Sequence, residues 1–183
     1  MSEEIDVLKV VCHRLEQADV PYVLTGSFAA NFYATPRMTR DIDIVIATFK
    51  SDVNKLFQLF QNDFYINMGS ISTAIEHEGM FNIIHTDLAL KIDFIIRKNS
   101  DYRNIEFQRR HRVQIGNAPI WIVAPEDLII SKLFWAKESL SEMQLNDVRN
   151  LLVARKNLDK EYIHKWVQAL ELHDLYDKVK QNA

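Results

Sequence analysis

Apolar residues recur along this chain with two periods, and the switches between them mark out its elements. Ile5, Leu8, Cys12 and Leu15 fall three or four apart, which predicts a helix over residues 3–18. Asp19-Val20-Pro21 ends it, because proline disfavours helical geometry in the residue before it. Tyr22 to Thr25 is a β-branched and aromatic run, a strand closed by Gly26. Asp41-Ile42-Asp43-Ile44-Val45-Ile46 alternates, so a second strand carries Asp41 and Asp43 on one face and three isoleucines on the other. Val53, Leu56, Phe57 and Phe60 predict a helix capped by Ser51-Asp52 and running to about Gln61. Phe64 to Ile66 reads as a short strand, and Gly69-Ser70 as a turn leading into a weakly amphipathic helix. Phe81 to Ile84 and Leu88 to Ile96 read as strands turning at His85-Thr86-Asp87. Val113 to Ile115 and Ala118 to Val123 flank Gly116-Asn117 as a hairpin.

From Pro125 onward the period is helical. Proline suits the first helical position, and Glu126 and Asp127 complement the helix dipole. Ser141 caps a helix through Ala154, and Asp159 opens another with Tyr162, Ile163, Trp166 and Val167 on one side. Leu172, Leu175, Tyr176 and Val179 continue an apolar stripe. The pattern predicts an α/β (α+β) fold: a mixed sheet flanked by helices over residues 1–124, and a helical bundle over 125–183 packed on it as one compact unit.

Composition narrows this. At 183 residues and 48% hydrophobic, the chain is expected to form one domain, or one domain with a helical appendage. A formal net charge of −3 gives no global attraction to nucleic acid or anionic membrane. Cys12 is the single cysteine, so a disulfide framework is excluded and a cytoplasmic location is the expectation. MSEEIDVLK is acidic and reads as no signal peptide, and no apolar stretch reaches the roughly 20 residues of a membrane span. The six histidines lack zinc-ligand spacing.

The chemistry concentrates in residues 22–46 and on one later strand. A strand feeding a Gly26-Ser27 turn at a helix start points backbone N–H groups outward, with Ser27 as the expected cap, and this suits a phosphate. Asp41 and Asp43, with Cα atoms about 6.6 Å apart, can converge on one divalent cation. Taken alone, the pair also fits two acids facing water at a strand start. Asp93 stands inside the apolar run Leu88–Ile96 on the face of Lys91 and Ile95, where a lone carboxylate is costly unless paired or metal-bound. If the two strands are neighbours, three carboxylates, the turn and Arg37 and Arg40 make a site for a nucleoside triphosphate and Mg²⁺. The arginines are either solvated or meet the acids or a phosphate. Residues 97–112 hold six cations against two anions, either a solvated face or a contact for a polyanionic acceptor or a triphosphate tail. Lys132 lies among Leu128, Ile129, Trp135 and Ala136, so it either snorkels to water or meets an anion. Asp147 pairs with Lys132 or positions a nucleotide group. Glu76-His77-Glu78 reads as solvated, since consecutive helical residues point apart.

Gly-Ser, thirteen residues, Asp-x-Asp and a third Asp on a later strand together resemble the nucleotidyltransferase superfamily of the polymerase-β type. The C-terminal half, with its P-E-D-L-I-x-x-K-L and Q-L-x-D-V elements, is similar to minimal nucleotidyltransferases grouped with the AbiEii toxins. The likeness spans about residues 4–178, and departs only where many relatives have Gly-Gly in place of Gly26-Ser27. It implies transfer of a nucleotidyl group from a nucleoside triphosphate to a hydroxyl of RNA or tRNA, protein or a small molecule. It implies Mg²⁺ or Mn²⁺ held by Asp41, Asp43 and Asp93, the last binding a metal or taking the acceptor's proton. Gly26, Ser27, Arg37, Arg40, Lys132 and Asp147 would then contact the nucleotide. A toxin–antitoxin role with a cognate antitoxin follows from the same likeness. The alternatives are a catalytically silent nucleotide-binding or antitoxin-like module, and an antibiotic-type nucleotidylyltransferase.

Overall fold

The switch from a period of two to a period of 3.6 is realised in a mixed α/β fold with a seven-stranded sheet, seen in a computed structural model that describes residues 2–39, 41–139 and 141–181. In chain order the elements are α1 (Ser2–Gln17), β1 (Tyr22–Thr25), α2 (Gly26–Tyr33), β2 (Asp41–Ile46), a 3₁₀ turn (Lys50–Asp52), α3 (Val53–Phe60), β3 (Phe64–Tyr65), α4 (Met68–Glu76), β4 (Met80–His85) and β5 (Lys91–Ile96). Then follow α5 (Asp101–Gln108), β6 (His111–Ile115), β7 (Ala118–Ile122), α6 (Pro125–Ser139), α7 (Glu142–Ala154), α8 (Lys160–Ala169) and α9 (His173–Lys180).

The sheet order is β3-β4-β5-β2-β1-β7-β6. At its centre β2 runs antiparallel to β1, with Thr25 opposite Asp43, and parallel to β5, with Asp43 opposite Asp93. Alternation then sorts the side chains. Ile42, Ile44, Ile46, Ile92, Phe94 and Ile96 all point to one face and are buried. That face meets α3, where the Phe60 and Phe94 rings lie 5.5 Å apart. The opposite face carries the acids and is roofed by α6. One apolar cluster runs through the chain from Val7 to Val179.

The helix after Ser51-Asp52 stands where expected, with Asp52 at its cap position, but the Asp52 carboxylate accepts from the Phe49 N–H of the 3₁₀ turn rather than capping α3. Local signals misplaced two boundaries. Gly69-Ser70 lies inside α4, whose cap is Asn67 accepting from the Ser70 N–H at 2.9 Å. Leu88 to Leu90 precede β5 rather than belonging to it. The caps Ser141 and Asp159 accept from the Gln144 and Tyr162 N–H groups as the sequence predicts.

Four of the six cations in the run 97–112 are half-buried and engaged rather than solvated, while Lys98 and Arg112 are exposed. Arg109 donates to Asp127 Oδ2 at 2.7 Å and Glu126 Oε2 at 3.1 Å, and lies 3.9 Å from the centre of the Tyr162 ring. Arg110 stacks on Phe107 and Trp121, and Arg112 reaches Glu16 at 2.9 Å. Arg103 donates to Glu106 and Ser131, which binds Glu106 in turn. Guanidinium planes packed on aromatic rings hold α5 and the β6–β7 hairpin to their neighbours.

Candidate active site

The site is built where β1 ends. Gly26 takes φ +65°, which only glycine adopts freely, and its Cα faces the Asp43 carboxylate. A Cβ added there would stand 1.9 Å from Asp43 Oδ2 and 2.5 Å from its Cγ. Gly26 therefore lets β2 bring a carboxylate against the first turn of α2. Gly26→Ala is expected to cost about 1–2 kcal/mol in backbone strain alone and to displace Asp43. A thermal melt checks the cost, and a variant that melts with wild type would contradict it.

The parallel register puts Asp43 and Asp93 side by side on the same face, with Asp41 two residues along. Asp93 is 5% exposed. Burial drives the Asp43 carboxyl up to about 6, and the neighbouring Asp93 adds to the rise. The Ser27 backbone N–H and the Lys132 ammonium pull the other way without cancelling it. Lys91, on the same strand face, places Nζ 2.9 Å from Asp93 Oδ2 and 3.6 Å from Asp41 Oδ2. With the side chains so placed, the described residues contain no group of three or more His, Cys, Asp or Glu set to hold a metal ion. Two features nonetheless fit a cation: Asp93 Oδ1 is buried with no hydrogen-bond partner, and Asp43 is held charged only at a cost.

Ser27 does not cap α2. The cap position is Thr25, without a side-chain hydrogen bond, and Ser27 is the second helical residue. Its hydroxyl instead accepts from Arg37 Nη2 at 2.6 Å. Arg37 also forks onto Asp147, Nε to Oδ1 at 2.8 Å and Nη2 to Oδ2 at 3.0 Å. Asp147 Oδ2 accepts from Lys132 Nζ at 2.8 Å, and Gln144 Oε1 accepts from the same ammonium at 2.9 Å. Lys132 is 3% exposed and Asp147 4%, so the lysine does not snorkel. Burial raises Asp147, but the hydrogen bonds from Arg37 and Lys132 outweigh it and hold this carboxyl below its usual range. A chain of four side chains thus runs from the turn to α7. Arg40 lies outside the described residues. Glu76, His77 and Glu78 are exposed.

Two adjoining cavities of about 210 and 180 Å³ open between the acid face and α6, sharing Thr25, Met80, Ile95, Ser131 and Trp135. The first touches Gly26, Ser27, Asp43 and Lys132. The second has walls of Val23, Val45 and Phe134, with Glu78, Arg97 and Lys98 around it. Sequence reasoning missed Lys91, Gln144 and the Arg103–Glu106–Ser131 group. Only Lys91 carried a signal: it lies two residues before Asp93, on the same strand face.

No family model matches the chain, and no curated protein matches it by sequence. Solved structures do. An antigenic nucleotidyltransferase-like protein from Paracoccidioides brasiliensis shares 16% identity at a TM-score of 0.56, over 98% of this chain and 93% of its own. ANT(2″)-Ia, solved with adenylyl-2″-tobramycin, shares 13% at 0.63, over 92% and 97%. The lincosamide antibiotic adenylyltransferase LnuA, solved with lincomycin, shares 15% at 0.51, over 77% and 91%. These likenesses show a nucleotidyltransferase-type fold. The narrower likeness to the AbiEii group rests on the two C-terminal sequence elements alone.

Proposed function

We propose that the chain transfers a nucleotidyl group from a nucleoside triphosphate to an acceptor hydroxyl. The observation that carries this is the side-by-side placement of Asp43 and Asp93 against the Gly26-Ser27 turn. Asp41 and Asp43 would hold Mg²⁺ or Mn²⁺, with Asp93 within reach of the same ion. A bound divalent ion there supplies charge neutralisation for the phosphates and the leaving group. With the Ser27 N–H given to Asp43, the other N–H groups at the start of α2 seat phosphate oxygens, and Arg37, braced by Asp147, fixes the Ser27 hydroxyl among them. The acceptor oxygen bonds to the α-phosphorus as the bond to the β-phosphate oxygen breaks, releasing pyrophosphate. Asp93 Oδ1, whose partner oxygen is engaged by Lys91, takes the acceptor's proton.

The cavity wall does not by itself pick the acceptor, since Glu78 shares it with Arg97 and Lys98. Solved neighbours of this fold carry small antibiotic ligands, and the AbiEii-like elements support a toxin with a cognate antitoxin. The test incubates the protein with each α-labelled triphosphate, Mg²⁺ and a cell extract separated into RNA, protein and small molecules. Label should enter one fraction and require divalent cation. Triphosphate binding without pyrophosphate release in any fraction would instead favour a silent nucleotide-binding module.

A further inference from the structure

The C-terminal helices carry a second concave site that the reaction described above does not use. A pocket of about 380 Å³ lies between the end of α7, the start of α8 and the end of α9. Arg155, Lys156, Lys160 and Lys180 line it, and among the described residues no acid does. Its apolar floor includes Leu158 and Ile163. The neighbouring Asp159 caps α8, accepting from the Tyr162 N–H at 2.9 Å, and offsets one of these four charges without lining the pocket. Among the described residues no acid pairs with Lys156 or Lys160. Arg155 lies 4.8 Å from the Tyr33 ring centre, and its Nε is buried with no hydrogen-bond partner.

Four cations converge here in a chain whose net charge is −3. Like charges gathered with less counter-charge than they carry repel each other unless an anion joins them. The three lysines are exposed and come from separate segments, which suits successive phosphates of a flexible strand better than one small anion held by buried donors. His164, exposed in the same pocket, offers a ring for base stacking. Arg155 is the residue just past α7, eight after Asp147, so about 12 Å of chain at the helical rise of ~1.5 Å per residue separates them.

We propose that this pocket binds the phosphate backbone of single-stranded RNA. RNA binding at the pocket stands on the pocket itself. Its use for delivering an acceptor rests on the nucleotidyl-transfer reading.

The test measures fluorescence anisotropy of a labelled single-stranded oligoribonucleotide at several salt concentrations, with ATP as a free-nucleotide competitor. Wild type, Lys156→Ala/Lys160→Ala/Lys180→Ala and Asp43→Ala are compared, with thermal melts confirming folding. The triple variant should bind at least about tenfold more weakly, and its slope of log affinity against log salt should be shallower by about 2. Asp43→Ala should bind as wild type does. No binding by wild type, equal binding by the triple variant, or complete displacement of the strand by ATP overturns the proposal. Intact, lysine-dependent binding with no label reaching RNA in the transfer assay would remove the acceptor role and leave the pocket standing.

Discussion

Asp43→Asn is expected to abolish the proposed nucleotidyl transfer and yet to raise the melting temperature of the protein in EDTA. The Asp43 carboxyl is raised to about 6, first by burial and then by the adjacent Asp93. A raised carboxyl pKa means that the folded state holds the proton more tightly than the unfolded chain, whose value is about 3.9. The sign follows. This group does not oppose folding below the unfolded value, and it lowers stability as pH climbs from about 4 to about 6. Above that window the cost is fully present, at about 3 kcal/mol for a shift of some two units. Asparagine removes the charge and still accepts from the Ser27 N–H. For a chain of this size the gain is about 5–10 °C at pH 7.5. The difference should shrink toward pH 4, and Mg²⁺ should stabilise wild type more than the variant. Differential scanning calorimetry across pH, with and without Mg²⁺, measures all three. A variant that melts below wild type at pH 7.5 would show that Asp43 is not a strained carboxylate.

Asp147→Ala has the opposite effect on stability and the same effect on activity. It strips the counter-charge from Lys132, which is 3% exposed, and frees Arg37 from the fork that aims it at Ser27. Leaving a buried cation uncompensated costs about 3–5 kcal/mol, which lowers the melting temperature by about 10 °C or more. The companion variant Lys132→Met/Asp147→Leu replaces the buried pair by apolar groups of similar size. It should recover most of the lost stability, since removing both charges removes the penalty. It should not recover transfer, because Arg37 no longer holds the Ser27 hydroxyl. Unfolding midpoints and pyrophosphate release separate these outcomes. An Asp147→Ala protein with an unchanged midpoint would mean that the pair is not coupled.

Much of the acid face is legible in the sequence, because strand alternation is a local signal. The spacing of Asp41 and Asp43 fixes their common face, and Lys91–Ile96 repeats the pattern around Asp93. What alternation cannot supply is which strand lies beside which, so the Asp43–Asp93 register appears only in the fold. Ser27 shows the limit of cap rules. Thr25 already occupies the cap position, and the Ser27 hydroxyl answers to an arginine ten residues on. The Arg37–Asp147 fork joins residues 110 apart, beyond any periodicity. The run 97–112 looks like a charged surface because composition does not reveal the partners Glu126, Asp127 and Glu16, or the rings on which its arginines pack.

The helix α6 is fastened at two heights. At its start Asp127 accepts from Arg109 and from the Tyr162 hydroxyl, while Glu126 accepts from the Asp159 N–H. One turn further along, Lys132 is bound into α7. Ser131, Lys132 and Trp135 consequently stand on a fixed jaw. Whatever slack the cavity keeps lies across from that jaw, on the β4 rim, where Met80 is 51% exposed and is tied to neither fastening.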